Sequence, residues 1–127
     1  RNSEFTIKNN LDAVSHGTCA MSIDVNAKCI VASSISGRTA RMVSRFRCPV
    51  DIIGLTTDES TYRKLALSWG VMPALCEKYP STDVLFYTAT KLAPKLLPME
   101  KGDSIVITGG NTTGVSGNTS LIKVEQI

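Results

Sequence analysis

The stretch Ser33-Ser34-Ile35-Ser36-Gly37-Arg38-Thr39 is the part of this chain best equipped for chemistry, and that chemistry is recognition of phosphate. Ser34, Ser36 and Thr39 offer hydroxyl donors. Gly37 lets a ligand approach the backbone, and Arg38 can place its guanidinium fork on phosphate oxygens. An apolar run precedes the stretch and a helical pattern follows it. Free N–H groups and the positive end of the helix dipole therefore point where an anion would sit. The plainer reading is that the serines cap the helix and Gly37 makes a turn. The glycine-lysine pattern of an ATP-holding P-loop is absent.

Arg38, Arg41 and Arg45 are three and four residues apart, so they share one helix face. With Arg47 they make four of the six arginines of the chain. The stripe suits an anion, a neighbouring subunit or solvent. A second candidate, Gly109-Gly110-Asn111-Thr112-Thr113-Gly114-Val115-Ser116-Gly117, lies between two apolar runs and is rich in hydroxyls. It reads as a segment able to close over a ligand held by the first, or as an ordinary connection. Its glycine spacing is not that of a dinucleotide fingerprint.

No catalytic constellation is visible. His16 is the only histidine, and no nucleophile accompanies it, so it reads as a capping, packing or interface residue. The carboxylates are scattered and form no metal or acid–base pair. Cys19, Cys29, Cys48 and Cys76 lack the spacing of a zinc site, and Cys29 and Cys76 adjoin apolar runs. They read as reduced structural thiols, which fits a cytoplasmic protein. Met42 and Met72 read as core filling and Trp69 as a packing anchor. Two N-glycosylation patterns, at Asn111 and Asn118, are read as chance.

The elements that must hold these segments follow from periodicity. Leu11, Val14, Thr18, Met21 and Val25 repeat at helical spacing and predict a helix over 11–25. Cys29–Ala32 reads as a strand and Thr39–Phe46 as a helix with Ala40 and Val43 inward. That helix stops before Pro49. Ile52–Leu55 is a second strand. Asp58 or Ser60 caps a helix to about Ser68, ended by Gly70. Val71–Leu75 is a third strand, placed at an edge by Pro73. A helix over 83–92 should end or kink at Pro94. Lys101-Gly102-Asp103 is a turn, and strands over 104–108 and 120–124 complete the order. This alternation predicts an α/β domain: a three-layer α/β/α sandwich on a five-stranded mixed sheet, with the last strand antiparallel because no helical crossover fits before it.

Composition agrees. At 127 residues with 43% hydrophobic and 20% charged residues, the chain is one globular domain over 1–127. A net charge of +3 is too mild to point to nucleic acid, and no apolar run reaches a membrane span. The chain begins at Arg1 and not Met, which we read as a piece of something longer.

Ser36-Gly37-Arg38-Thr39-Ala40-Arg41-Met42-Val43-Ser44-Arg45-Phe46-Arg47 resembles the C-terminal domain of pyruvate kinase. So do Ala13–His16, Asn26–Val31, Leu65-Ala66-Leu67-Ser68-Trp69-Gly70-Val71-Met72-Pro73, Lys101–Gly109 and Val115–Thr119, in the same order and over essentially the whole chain. The resemblance implies a parent enzyme that transfers phosphoryl from phosphoenolpyruvate to ADP in glycolysis, with Mg²⁺ and K⁺. Its catalytic barrel would lie outside this chain, leaving the isolated domain inactive, with no cofactor or metal of its own. It implies a phosphorylated allosteric effector cradled by Ser34, Ser36, Gly37, Arg38 and Thr39, with Ser116 and Gly117 folding over it. It also implies contact with the catalytic domain and a tetramer interface. Arginine and lysine are absent from Gly109–Gly117, so a second phosphate would lack a charged partner, which counts against a bisphosphate and leaves a sugar monophosphate, AMP or no effector open. The alternative is a stand-alone phospho-ligand-binding or assembly module.

Overall fold

A computed structural model describes residues 10–33, 40, 43–44, 49–67, 70–76, 82–110 and 119–127. Helix α1 (Asn10–Asp24) leads into β1 (Cys29–Ser33), and β2 (Asp51–Thr56) follows. Between them, Ala40 and Val43 are helical and buried, as the predicted inward face requires, and Ser44 is helical and buried too. Helix α2 (Glu59–Leu65), β3 (Val71–Leu75), α3 (Thr82–Leu96), β4 (Ser104–Gly110) and β5 (Thr119–Gln126) complete the chain.

The five strands form one sheet in the order β3-β2-β1-β4-β5. β1, β2, β3 and β4 run parallel, and β5 runs antiparallel to β4. The central strands are short continuous apolar runs because helices cover both faces. Ile30, Val31, Ile53, Ile105, Val106 and Ile107 are all fully buried.

Two cores mark the two faces. Ile30, Ala32, Ile52 and Val106 pack with Cys19 of α1, with Ala40 and Val43, and with Leu65 of α2. On the other face Cys29, Val31, Ile53, Leu55, Ile105 and Ile107 pack against Leu85, Ala89 and Ala93 of α3. This is the expected α/β/α sandwich. Gly54 makes one contact possible: a Cβ there would lie 2.8 Å from Leu65 Cδ1 and 3.4 Å from Ala40 Cβ.

Several boundaries differ from the sequence pattern, each for a physical reason. The buried face of α1 carries Ser15, Thr18, Cys19 and Ser22, and Val25 is exposed beyond the helix end. Small side chains let this helix lie close to the sheet, and Ser22 Oγ donates to the Cys19 carbonyl at 2.7 Å. Helix α2 stops at Leu65, short of Ser68, with Ala66 as its cap. Gly70, at φ +68°, makes the turn into β3 instead of ending the helix.

Helix α3 runs through Pro94 to Leu96. The ring removes only the bond to the Thr90 carbonyl, and Pro94 is exposed near the helix end, where water can take that carbonyl. Leu97 N–H then donates to the Ala93 carbonyl at 3.0 Å, so the last turn still closes. β4 and β5 are each longer than expected because they pair along their whole length, with one irregularity at Gly109/Gly110.

Among the described residues no further strand pairs with either sheet edge, and the two edges are differently built. Gly70 O and Cys76 N bond to β2, so by alternation the main chains of Val71, Pro73 and Leu75 face outward from β3. Pro73 therefore stands where a free edge N–H would be, as expected for an edge strand. β5 has no such block.

Candidate functional site

In a parallel sheet, connections at the carboxyl ends of strands line the ligand crevice, above all where the chain switches direction between neighbours. Here that switch lies between β1 and β4. β1 leads to β2 on one side, past the helical residues 40 and 43–44, whereas β4 turns back to β5 on the other side. β1 and β4 are parallel neighbours, with Ser33 in register with Gly109. Segments 34–39 and 111–118 therefore leave the same end of adjacent strands.

Ser34, Ser36, Gly37, Arg38, Thr39, Ser116 and Gly117 all lie outside the described residues, as do Arg41, Arg45, Arg47, Met42, Cys48 and Trp69. Their anchors are described. Ser33 and Ala40 flank the first segment and are both buried. Gly110 and Thr119, paired across the β4–β5 ladder, flank the second.

At this end the strands meet without a side chain between them. A Cβ on Gly109 would lie 3.0 Å from the Ser33 carbonyl oxygen, 3.1 Å from Ser33 Cβ and 3.7 Å from Leu85 Cδ2 in the first turn of α3. The sequence pattern counted Gly109 as the first glycine of a loop. It is a strand residue, and its packing against Ser33 depends on a register that periodicity alone does not fix.

The polar groups at the end of β2 are spent on structure. Thr56 Oγ1 accepts from Asp58 N–H at 3.1 Å. Asp58 Oδ2 accepts from the Thr61 N–H at 2.9 Å and from Thr61 Oγ1 at 2.8 Å, which caps α2. The backbone bond and then the hydroxyl bond hold the Asp58 carboxyl below its ordinary range.

His16 is exposed on α1, and Met72 is half-buried on the edge strand. Cys19 and Cys29 are buried free thiols and Cys76 is partly buried. Burial, then the charge of Asp51, pushes the Cys29 thiol up to about 12. Burial also raises Cys76. Such thiols are poor nucleophiles. Among the described residues, no three His, Cys, Asp or Glu side chains gather as metal ligands, and no helix is long and apolar enough to cross a membrane.

An apolar groove of about 580 Å³, missed by the sequence reading, runs over the β3 edge between α2 and α3. Tyr62, Pro73, Leu75, Leu92 and Leu96 line it, and the exposed Arg63–Glu59 pair, at 3.1 Å, stands at its rim. It lies at the far edge of the sheet from β4.

The family model for the pyruvate kinase alpha/beta domain matches residues 12–125, nearly all of the fold just described. The chain belongs to the pyruvate kinase family. It is 40% identical over 120 residues to a pyruvate kinase of Clostridium acetobutylicum, a match covering 94% of this chain and 25% of that protein. It is 36% identical over 117 residues to a pyruvate kinase of Staphylococcus epidermidis, and 35% identical to one of Staphylococcus aureus over the same length. Those matches cover 92% of this chain and 20% of each relative. The chain thus spans a fifth to a quarter of the pyruvate kinases it matches. The matched segment is the C-terminal α/β domain, and the mixed sheet with β5 reversed is its architecture here.

Proposed function

We propose that this chain is the regulatory C-terminal domain of a pyruvate kinase and binds a phosphorylated effector at the carboxyl ends of β1 and β4. The observation that carries the reading is the parallel pairing of those strands, which brings the roots of 34–39 and 111–118 to the same end of neighbouring strands. In this reading Ser34, Ser36 and Thr39 donate hydroxyls to a phosphate, Gly37 opens the backbone, and Arg38 supplies charge. Ser116 and Gly117 fold over the ligand.

The parent enzyme transfers phosphoryl from phosphoenolpyruvate to ADP in the cytoplasm, using Mg²⁺ and K⁺ in a barrel domain. This domain adds no catalytic group and no cofactor. Its effect is linkage: an effector that binds one arrangement of domains better shifts the population toward it, and with it the affinity of the distant active site. The domain also forms a subunit interface of a homotetramer. The unblocked β5 edge suits that contact better than the β3 edge, where Pro73 removes the outward N–H.

Calorimetric titration of the intact protein with fructose 1,6-bisphosphate, AMP, ribose 5-phosphate and glucose 6-phosphate tests the reading. The expected result is saturable heat with at least one of them, suppressed by competing sulfate. Absence of heat with all four contradicts effector binding. Phosphoenolpyruvate-dependent ADP phosphorylation by the isolated domain would contradict its regulatory assignment.

A further inference from the structure

Gly109 is a point at which three elements touch. Its missing side chain faces the α3 side of the sheet, where Ile105 and Ile107 of the same strand also pack. Building a Cβ there brings it to 3.0 Å from the Ser33 carbonyl and 3.1 Å from Ser33 Cβ, tighter than ordinary contact. Leu85 Cδ2, at 3.7 Å, closes the third side. Ser33 is the last residue of β1 and is buried, so it cannot yield into solvent.

A Cβ at position 109 would therefore require Ser33, at the end of β1, to give by a few tenths of an ångström. Segment 34–39 begins at the residue that would move, and segment 111–118 begins one residue beyond Gly110, in the strand that would push it. The spacing of the two roots thus leaves little room for a side chain at position 109.

We propose that Gly109 is a positioning residue for phosphate-ligand binding: the absence of its side chain sets the spacing of the β1 and β4 ends. This rests on the effector site proposed above and adds a residue that touches no ligand. A ligand clamped between two segments is sensitive to their separation, because misplacement by a fraction of an ångström weakens several oriented hydrogen bonds at once.

The test measures the affinity of the intact protein for fructose 1,6-bisphosphate, AMP and the two sugar monophosphates by calorimetry, beside thermal stability without ligand. Gly109→Ala should lose about tenfold in affinity for whichever ligand the unaltered protein binds. Ile105→Val, in the same strand at its opposite end, should lower the melting temperature and leave affinity unchanged. The exchange Ser33→Gly/Gly109→Ala moves the Cβ from one strand to the other and should recover part of the loss. Wild-type affinity in Gly109→Ala overturns the positioning role while leaving the effector site standing. An exchange variant no better than Gly109→Ala also overturns it. Should Gly109→Ala alone not fold, the exchange is compared with Ser33→Gly: weaker binding in the exchange supports the role and equal binding overturns it. Failure of the unaltered protein to bind any of the four ligands overturns both the site and this role.

Discussion

The two ends of the parallel sheet are built on opposite principles. At the amino end, where β1 and β4 begin and β5 finishes, the backbone bonds to itself. Lys28 N–H donates to the Ser104 carbonyl at 2.8 Å, Ile127 N–H to the Asp103 carbonyl at 2.8 Å, and Gly102 N–H to the Ile127 carbonyl at 3.0 Å. Asp103 Oδ2 accepts from Glu100 N–H at 2.8 Å and completes the turn. At the carboxyl end Ser33 and Gly109 are held by close approach, and the chain departs from both strands into hydroxyl-rich segments. One end spends its polar groups on closing the fold. At the other, β2 does the same through Thr56, Asp58 and Thr61, whereas β1 and β4 lead into hydroxyl-rich connections. The difference separates residues whose loss should cost stability from residues whose loss should cost ligand affinity.

The largest effect belongs to neither end. Ile107→Ala, in the middle of β4, removes a fully buried side chain and should cost about 2–5 kcal/mol in denaturant unfolding. A change below about 1 kcal/mol would show that the strand joining the two ends is not a packed core. At the carboxyl end, Arg38→Ala should weaken binding of the effector by about 1.5–3 kcal/mol, with the unfolding midpoint unchanged. The reverse pattern, lost stability with intact affinity, would break the comparison. At the amino end, Asp103→Ala should cost about 1 kcal/mol of stability and leave effector affinity alone.

The last effect is a pH dependence seen only in alkali, also at the amino end. Cys29 keeps its proton in the folded chain up to about 12, against 9.0 for an ordinary thiol. Between those values the unfolded chain gives up a proton that the folded chain retains, so the unfolded state gains and stability falls as pH rises. Unfolding of Cys29→Ala should therefore show a shallower loss over that window than the unaltered protein. Parallel slopes would mean that Cys29 is not held in the core as described.

Much of the fold is legible in the sequence because the central strands are unbroken apolar runs and the connections carry strong turn residues. Cys29–Val31, Ile52-Ile53 and Ile105–Ile107 announce two-sided burial, and Pro73 announces an edge. The helices are less legible. The described buried stripe of α1 is Ser15, Thr18, Cys19 and Ser22, of which periodicity found only Thr18, because closeness to the sheet, and not apolar size, selects those residues. Pro94 reads as a stop, but its position near the exposed end of α3 makes the lost bond cheap. Residue types alone suggested the phosphate segment at 33–39 and its partner at 109–117. Their common origin at one end of β1 and β4 required the strand order, and the role of Gly109 required the register that sets it against Ser33.

Amide hydrogen exchange of the intact protein, with and without saturating effector, tests the central claim most directly. The account predicts slowed exchange in 34–39 and 111–118 on binding, reaching into Ser33 and Gly109, with no change in the turn at 100–104. Protection at the amino end, or ligand binding that leaves 34–39 and 111–118 unaltered, would contradict it.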